Sequence, residues 1–156
     1  MIRKILQYPN ENLRTVCKEV TVFGKKLQRD SFCLLRTLEN SKNGVGLAAN
    51  QIGFTDRIIA LKLDDFHGVM VNPEIVHSSE DTTYHTEGCL SFDNGEIMRS
   101  MKVRAEEVQV RWQDVDGEDH EAVFIGLSSI CIQHEVDHLN GVVFTDYDEQ
   151  ALRITE

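Results

Sequence analysis

Two segments of the chain carry the apolar spacing of a helix. Over residues 24–41 the spacing predicts an amphipathic helix, with one face formed by Leu27, Phe32, Leu34, Leu35 and Leu38. Residues 128–139 are apolar on most sides and predict a second, buried helix. We expect Ser128 or Ser129 at its N-cap and Asn140-Gly141 at its C-terminal end.

Short strand patterns lie between these helices. Asn72-Pro73 interrupts one apolar stretch, and Asp116-Gly117 is a tight-turn signal between two alternating segments, which predicts a hairpin. The expected strands cover residues 57–63, 69–71, 75–77, 107–115 and 120–125. Strands do not alternate regularly with helices, so the order predicts one α+β domain over residues 1–156. We expect mostly antiparallel sheets around the second helix, with one N-terminal helix and a short C-terminal tail.

Composition and charge narrow the function classes. With 41% hydrophobic and 27% charged residues, the 156-residue chain has the composition of a globular domain. The net charge of −10 argues against direct binding of nucleic acid or anionic lipid, and no apolar run is long enough to span a membrane. The N-terminus resembles no export signal, so the four cysteines are expected to be reduced thiols.

The second helix carries candidate metal ligands. His134 and His138 lie four residues apart in an H-E-x-x-H motif, so both imidazoles face the same side of a helix. Two such imidazoles can bind one metal ion, and the intervening Glu135 can reach a water bound to that metal as a proton carrier. A buried hydrogen-bond network without metal is the alternative reading of the same pattern.

A third ligand is needed, and two candidates stand out. Glu149 follows the motif, as in one class of zinc peptidase, and Cys89 lies upstream in Glu87-Gly-Cys-Leu-Ser91. Cys89 is the stronger candidate, because a Cys/His/His set leaves one position open for water, as catalytic sites do. Another segment, Gly44-Val-Gly-Leu-Ala-Ala-Asn-Gln51, is small enough to approach a ligand or another backbone closely.

Taken together, these three segments resemble, in order, the signature motifs of peptide deformylases. The resemblance extends to residues 5–10, 71–76 and 130–134, and thus to nearly the whole chain. It implies a hydrolase that removes the N-formyl group from formyl-methionine on nascent polypeptides and releases formate. It also implies one divalent metal ion held by Cys89, His134 and His138. Fe(II) is expected natively, with Ni, Co or Zn possible in purified protein.

The resemblance assigns further roles. Glu135 would take the proton of the attacking water, while the Gln51 side chain and the Leu90 N–H would stabilise the oxyanion. Residues expected to contact the substrate are Val45, Gly46, Glu87, Gly88, Leu127, Ile130 and Cys131. Asp137 is expected to hold a neighbouring group, with Arg104 as its candidate partner. The remaining cysteines, Cys17 and Cys33, are expected to be packing residues.

The chain departs from the family pattern at several points. Asn50 replaces a common proline, which predicts a less rigidly held Gln51, and Asn43 replaces a common acidic residue. Residues 92–96 are acidic where an apolar residue and proline are usual, and the chain ends about 15 residues after Gly141. The short C-terminus and acidic body predict that docking to the ribosome is not tight.

Partners, location and alternative functions complete the expectations. The formylated nascent chain is the expected partner of a monomeric protein that binds neither nucleic acid nor membrane. The expected location is a bacterial-type cytoplasm, or the host cytoplasm for a virus-encoded enzyme. The H-E-x-x-H motif alone would also fit a general metallopeptidase. A homologue that binds metal but is catalytically weak is the third possibility.

Overall fold

The structure is a computed structural model that describes residues 1–84, 87–92, 103–143 and 146. It contains the helices α1 (Lys25–Glu39) and α2 (Gly126–Leu139), and two 3₁₀ turns, Glu11–Arg14 and Ala49–Ile52. Its strands are β1 (Gly46–Ala48), β2 (Ile58–Lys62), β3 (His67–Ser78), β4 (Thr82–Tyr84), β5 (Val103–Ala105), β6 (Glu107–Gln113) and β7 (Asp119–Ile125). Among the described residues, no helix is long and apolar enough to cross a membrane.

The strands pair antiparallel. Five of them form one sheet in the order β1-β2-β3-β6-β7, and β4 pairs with β5 in a separate ribbon. The β6–β7 hairpin forms as predicted, with a turn in which the Gly117 N–H donates to the Asp114 carbonyl. The two short strands expected around Asn72-Pro73 are one strand, β3. Asn72 adopts φ 52° and the register shifts between Val71 and Glu74, so a bulge absorbs the break without ending the strand.

The large sheet lies between the two helices. In β2, Ile59 belongs to a core cluster that includes Ile132 of α2, whereas its neighbour Ile58 belongs to a second cluster that includes Leu34 of α1. Successive side chains of a strand point to opposite faces, so β2 is buried on both. This arrangement confirms the predicted α+β fold with antiparallel sheets, and residues 134–138 of the H-E-x-x-H motif lie in α2. Of the expected C-terminal tail, the structure describes residues 140–143 and Asp146, which pairs with Arg14.

Both helices differ in detail from the expectation. The buried side of α1 includes Leu27, Leu34 and Leu38, but Phe32 is 60% exposed, so its assignment to the apolar face is wrong. The helix α2 begins two residues earlier than expected, at Gly126, whose φ of 62° suits glycine.

The serine N-cap expected for α2 is wrong as well. Ile125 occupies the cap position and no side chain caps the helix. Ser128 and Ser129 lie within the first turns, and their hydroxyls donate to the Asp65 carboxylate and the Ala105 carbonyl. These bonds join the start of α2 to neighbouring segments.

Candidate metal centre and active site

The helix α2 places two imidazoles and a carboxylate in the interior. His134 and His138 lie one turn apart with ring centroids separated by 5.0 Å, and Glu135 lies between them in the chain. All three side chains are buried. Cys89, from the loop that contains residues 87–92, places its Sγ 3.3 Å from His138 Nε2. The candidate ligand atoms of Cys89, His134 and His138 all lie within 4.8 Å of one another.

A buried ion-pair network contacts His134 at its Nδ1. Glu87 Oε1 lies 2.9 Å from His134 Nδ1, and the same carboxylate accepts hydrogen bonds from Arg104 Nε at 2.7 Å and Nη2 at 2.9 Å. Arg104 also donates to Asp137 at 2.7 Å, so the contact expected between these two residues is present. A carboxylate on one imidazole nitrogen fixes the tautomer and leaves the other nitrogen as a ligand.

The Glu87 side chain has a role in addition to the one expected. The family resemblance implies that Glu87 contacts the substrate, and its buried side chain engages His134 and Arg104 with both carboxylate oxygens. Its carboxylate orients a candidate ligand, and a contact of Glu87 with substrate stays a prediction. The signal in the sequence was weak, because Glu87 and His134 are 47 positions apart.

Burial and neighbouring charges set the proton affinities of these groups. Burial raises the pKa of Glu135 to about 7, against the opposing charges of His134 and Arg104. Burial also raises the pKa of the Cys131 thiol. For His138, burial lowers the pKa well below its usual value, and the charges of His134 and Arg104 add to this. A carboxyl group with a pKa near 7 can both accept and release a proton at neutral pH.

Gln51 points its amide nitrogen at the candidate ligand Cys89. The Ala48 N–H donates to Gln51 Oε1 at 2.8 Å. The amide nitrogen on the opposite side of the group therefore points toward Cys89 and Ser91. Gln51 Nε2 lies 3.7 Å from Cys89 Sγ and donates to Ser91 Oγ at 3.0 Å. Ser91 is fully buried and received no role in the sequence analysis, although it stands in the same motif as Cys89.

The N-terminal arm, defined here as Leu6–Tyr8, joins the two loops that carry Gln51 and Cys89. The Leu6 N–H donates to the Gln51 carbonyl at 2.8 Å, and Gln7 Nε2 donates to the Leu90 carbonyl at 2.8 Å. The Tyr8 N–H then donates to the Ser91 carbonyl at 2.7 Å. The arm thus binds the loop that carries Cys89 through the carbonyls of Leu90 and Ser91. Sequence reasoning missed this role.

The side-chain hydrogen bonds of Asn50 argue against the expectation of a loosely held Gln51. Its side chain is fully buried, and Nδ2 donates to the carbonyls of His138 and Thr15. The residue that replaces the common proline therefore ties the Gln51 turn to the end of α2 through its side chain.

The residues expected at the substrate fall into two groups. Gly46 closely approaches α2, since a Cβ built on it would lie 2.6 Å from Glu135 Oε2 and 2.9 Å from Cys131 Sγ. Ile130 and Cys131 are buried. The exposed members of the set are Val45, Gly88 and Leu127. Leu90 is 9% exposed. Of residues 92–96, the structure describes Phe92, whose ring stacks on Tyr8 at a centroid distance of 4.7 Å.

The donor set fits a divalent transition metal. Imidazole and thiolate suit several first-row metals. His138 Nδ1 and Glu135 Oε1 are buried without a hydrogen-bond partner among the described residues, which is unusual for a site built only as a hydrogen-bond network.

The other candidate group, Asp114, Glu118 and His120, is partly exposed at the β6–β7 turn. There Asp114 Oδ1 accepts backbone N–H bonds, which accounts for its position. Glu149, the alternative third ligand, lies outside the described residues.

The remaining cysteines behave as packing residues. Cys17 and Cys33 are buried in different core clusters, and all four cysteines are free thiols.

Comparison with known proteins agrees with this geometry. The family model described as polypeptide deformylase matches residues 2–152. Peptide deformylase from Chromobacterium violaceum is 43% identical over 145 residues, which is 91% of this chain and 84% of that protein. The crystal structure of peptide deformylase from Thermotoga maritima is similar with a TM-score of 0.86 and 32% identity, covering 94% of this chain and 97% of that one. The PDF of Vibrio parahaemolyticus bacteriophage VP16T in complex with actinonin gives a TM-score of 0.81 at 34% identity, covering 90% and 98%. The chain belongs to the peptide deformylase family.

Proposed function

We propose that this chain is a metal-dependent hydrolase that removes the formyl group from formyl-methionine at the N-terminus of nascent polypeptides. The observation that carries the proposal is the convergence of Cys89, His134 and His138 beside Glu135 and Gln51, in a chain of the peptide deformylase family. The reaction adds water across the formyl amide: the C–N bond breaks, and the products are formate and the free methionine amine.

Cys89, His134 and His138 would hold the metal ion, with Glu87 orienting His134. Bound there, a divalent ion supplies Lewis acidity at the formyl group. We expect Fe(II) natively and Ni, Co or Zn in purified protein, because this donor set accepts all of them.

Glu135 carries the proton in this mechanism. Its carboxylate accepts a proton from the attacking water and delivers it to the departing amine nitrogen. Gln51 Nε2 and the Leu90 N–H donate to the formyl oxygen as negative charge develops on it. The Ala48 and Ser91 contacts hold the Gln51 amide in this orientation before substrate arrives.

The substrate would bind as an extended chain. Backbone groups of Gly46 and Gly88 would pair with it in the manner of an added strand. The methionine side chain would contact Val45, Leu127, Ile130 and Cys131, of which the last two are buried beside the metal ligands in α2. We further propose a monomer that acts in a bacterial-type or host cytoplasm without tight docking to the ribosome.

Release of formate from formyl-Met-Ala tests the proposal. Anaerobically prepared, metal-loaded protein should release formate from formyl-Met-Ala and leave the peptide bond of Met-Ala intact. Cleavage of Met-Ala without formate release would instead identify a general metallopeptidase. Absence of both activities in protein with full metal content would leave a metal-binding homologue and refute the proposal.

A further inference from the structure

Asn50 joins two parts of the site that are far apart in the chain. It directly precedes Gln51, and its Nδ2 donates to the carbonyl of His138, 88 positions away. The same nitrogen donates to the Thr15 carbonyl at 3.1 Å. The side chain is 0% exposed, so these hydrogen bonds are shielded from water.

The two groups that Asn50 joins both face the sulfur of Cys89. Gln51 Nε2 lies 3.7 Å from Cys89 Sγ, and His138 Nε2 lies 3.3 Å from it. A displacement of the Gln51 turn relative to α2 would therefore move the Gln51 amide relative to the metal ligands. Misplacement by about 1 Å can cost roughly 10²-fold in rate, because reacting groups must be held in a narrow geometry.

We propose that Asn50 is a positioning residue for deformylation: its side-chain amide holds the Gln51 turn against the end of α2 and so aims the Gln51 amide at the formyl oxygen. The inference rests on the proposed function and deepens it. Asn50 acts through Gln51 and does not itself touch the substrate.

Packing alone does not account for an amide at this position. Asn50 Oδ1 is buried and has no protein partner among the described residues. A buried polar atom without a partner destabilises the fold, and an apolar side chain of the same shape would avoid that cost. The amide nitrogen, by contrast, serves two carbonyls from segments that flank the site.

The test compares Asn50→Leu, which keeps the shape and removes the donor, with Thr37→Val as a matched control. Thr37 is 2% exposed, and its hydroxyl donates to the Cys33 carbonyl at 2.7 Å and accepts the Arg3 N–H at 3.0 Å. Both substitutions remove buried hydrogen bonds and should lower Tm. Only Asn50→Leu should lower kcat on formyl-Met-Ala, by roughly 10–100-fold, with KM changed less than about threefold. Rates are expressed per bound metal.

A double-mutant cycle with Gln51→Ala separates alignment from general damage. Once Gln51 is truncated there is no amide to aim, so Asn50→Leu should lower kcat by less than about threefold in that background. The NMR signals of the Gln51 side-chain amide should shift in Asn50→Leu and stay unchanged in Thr37→Val. Asn50→Ala, judged by the same criteria, serves if the leucine variant does not fold.

Two results would overturn the inference. One is a kcat of the Asn50 variants equal to that of Thr37→Val. The other is a kcat loss in the double mutant equal to the product of the losses in Asn50→Leu and Gln51→Ala. Either result, in a wild-type protein that releases formate, refutes the role of Asn50 alone. A wild-type protein that releases no formate refutes the proposed function itself.

Discussion

Replacing Glu87 by Gln perturbs the buried network behind His134. The carboxylate is engaged by Arg104 at 2.7 and 2.9 Å and by His134 Nδ1 at 2.9 Å, and its side chain is 3% exposed. A neutral amide cannot balance the Arg104 charge, which leaves the partly exposed Asp137 as the remaining described anionic partner. Removing one partner of a buried ion pair costs about 3–5 kcal/mol.

The pKa of Glu87 gives a second, independent value for the free energy by which its ionised carboxylate stabilises the fold. Burial acts to raise this pKa, but the hydrogen bonds from His134 and Arg104 and the Arg104 charge outweigh it and lower the pKa from 4.5 to about 2. Because the folded-state pKa lies below the unfolded value, the carboxylate stabilises the fold above pH 4.5, and this stabilisation is lost as the pH falls toward 2. At about 1.4 kcal/mol per pKa unit, the contribution is about 3 kcal/mol, which agrees with the cost of breaking the pair.

Urea unfolding of metal-free protein between pH 7 and pH 3 measures this contribution. Glu87→Gln should lower the free energy of unfolding by about 3 kcal/mol at pH 7, and the difference from wild type should narrow below pH 4.5. Glu121→Gln is the control, since Glu121 pairs with Arg111 on the surface and should cost less than about 1 kcal/mol. Equal stability of Glu87→Gln and wild type at pH 7, or a difference that stays constant down to pH 3, would refute the reasoning.

Three further predictions concern the site itself. Gln51→Ala should lower kcat by roughly 10²–10³-fold in steady-state assays while KM changes little, and an unchanged kcat would exclude Gln51 from oxyanion stabilisation. Gly46→Ala should lower kcat/KM by more than about tenfold, because its Cβ would lie 2.6 Å from Glu135 Oε2. Gly24→Ala, whose Cβ meets nothing within 4 Å, should keep full activity, and equal effects of the two would contradict this steric account. Cys89→Ser should lose metal on dialysis that wild type retains, as measured by elemental analysis, because thiolate is the soft donor of the set; full retention would argue against Cys89 as a ligand.

Local patterns predicted the elements that depend on local forces. The i, i+4 spacing of His134 and His138 within an apolar stretch placed both on one helix, and the structure has them on α2. The β6–β7 hairpin followed from alternation around Asp116-Gly117. The continuity of β3 could not be predicted in this way, because Asn72-Pro73 reads as a break and pairing with β6 carries the strand across it.

The candidate site was predictable where motifs carry it and not where distant segments meet. Cys89 and Gln51 stand in recognisable motifs, so their proximity to α2 could be anticipated. The contacts of Glu87 with His134 and of Asn50 with His138 join residues 47 and 88 positions apart. The N-terminal arm likewise reaches Leu90 from Gln7 across 83 positions. Such contacts depend on how the sheet and helices pack, which no local spacing encodes.

Formate release by wild type and Glu135→Ala, with metal content measured on the same samples, tests the central claim most directly. Metal-loaded wild type should release formate from formyl-Met-Ala. Glu135→Ala should retain the metal, because Glu135 is not among the three candidate ligands, and should lose turnover by at least about 10²-fold. Full activity of Glu135→Ala, or no formate from metal-loaded wild type, would contradict the account.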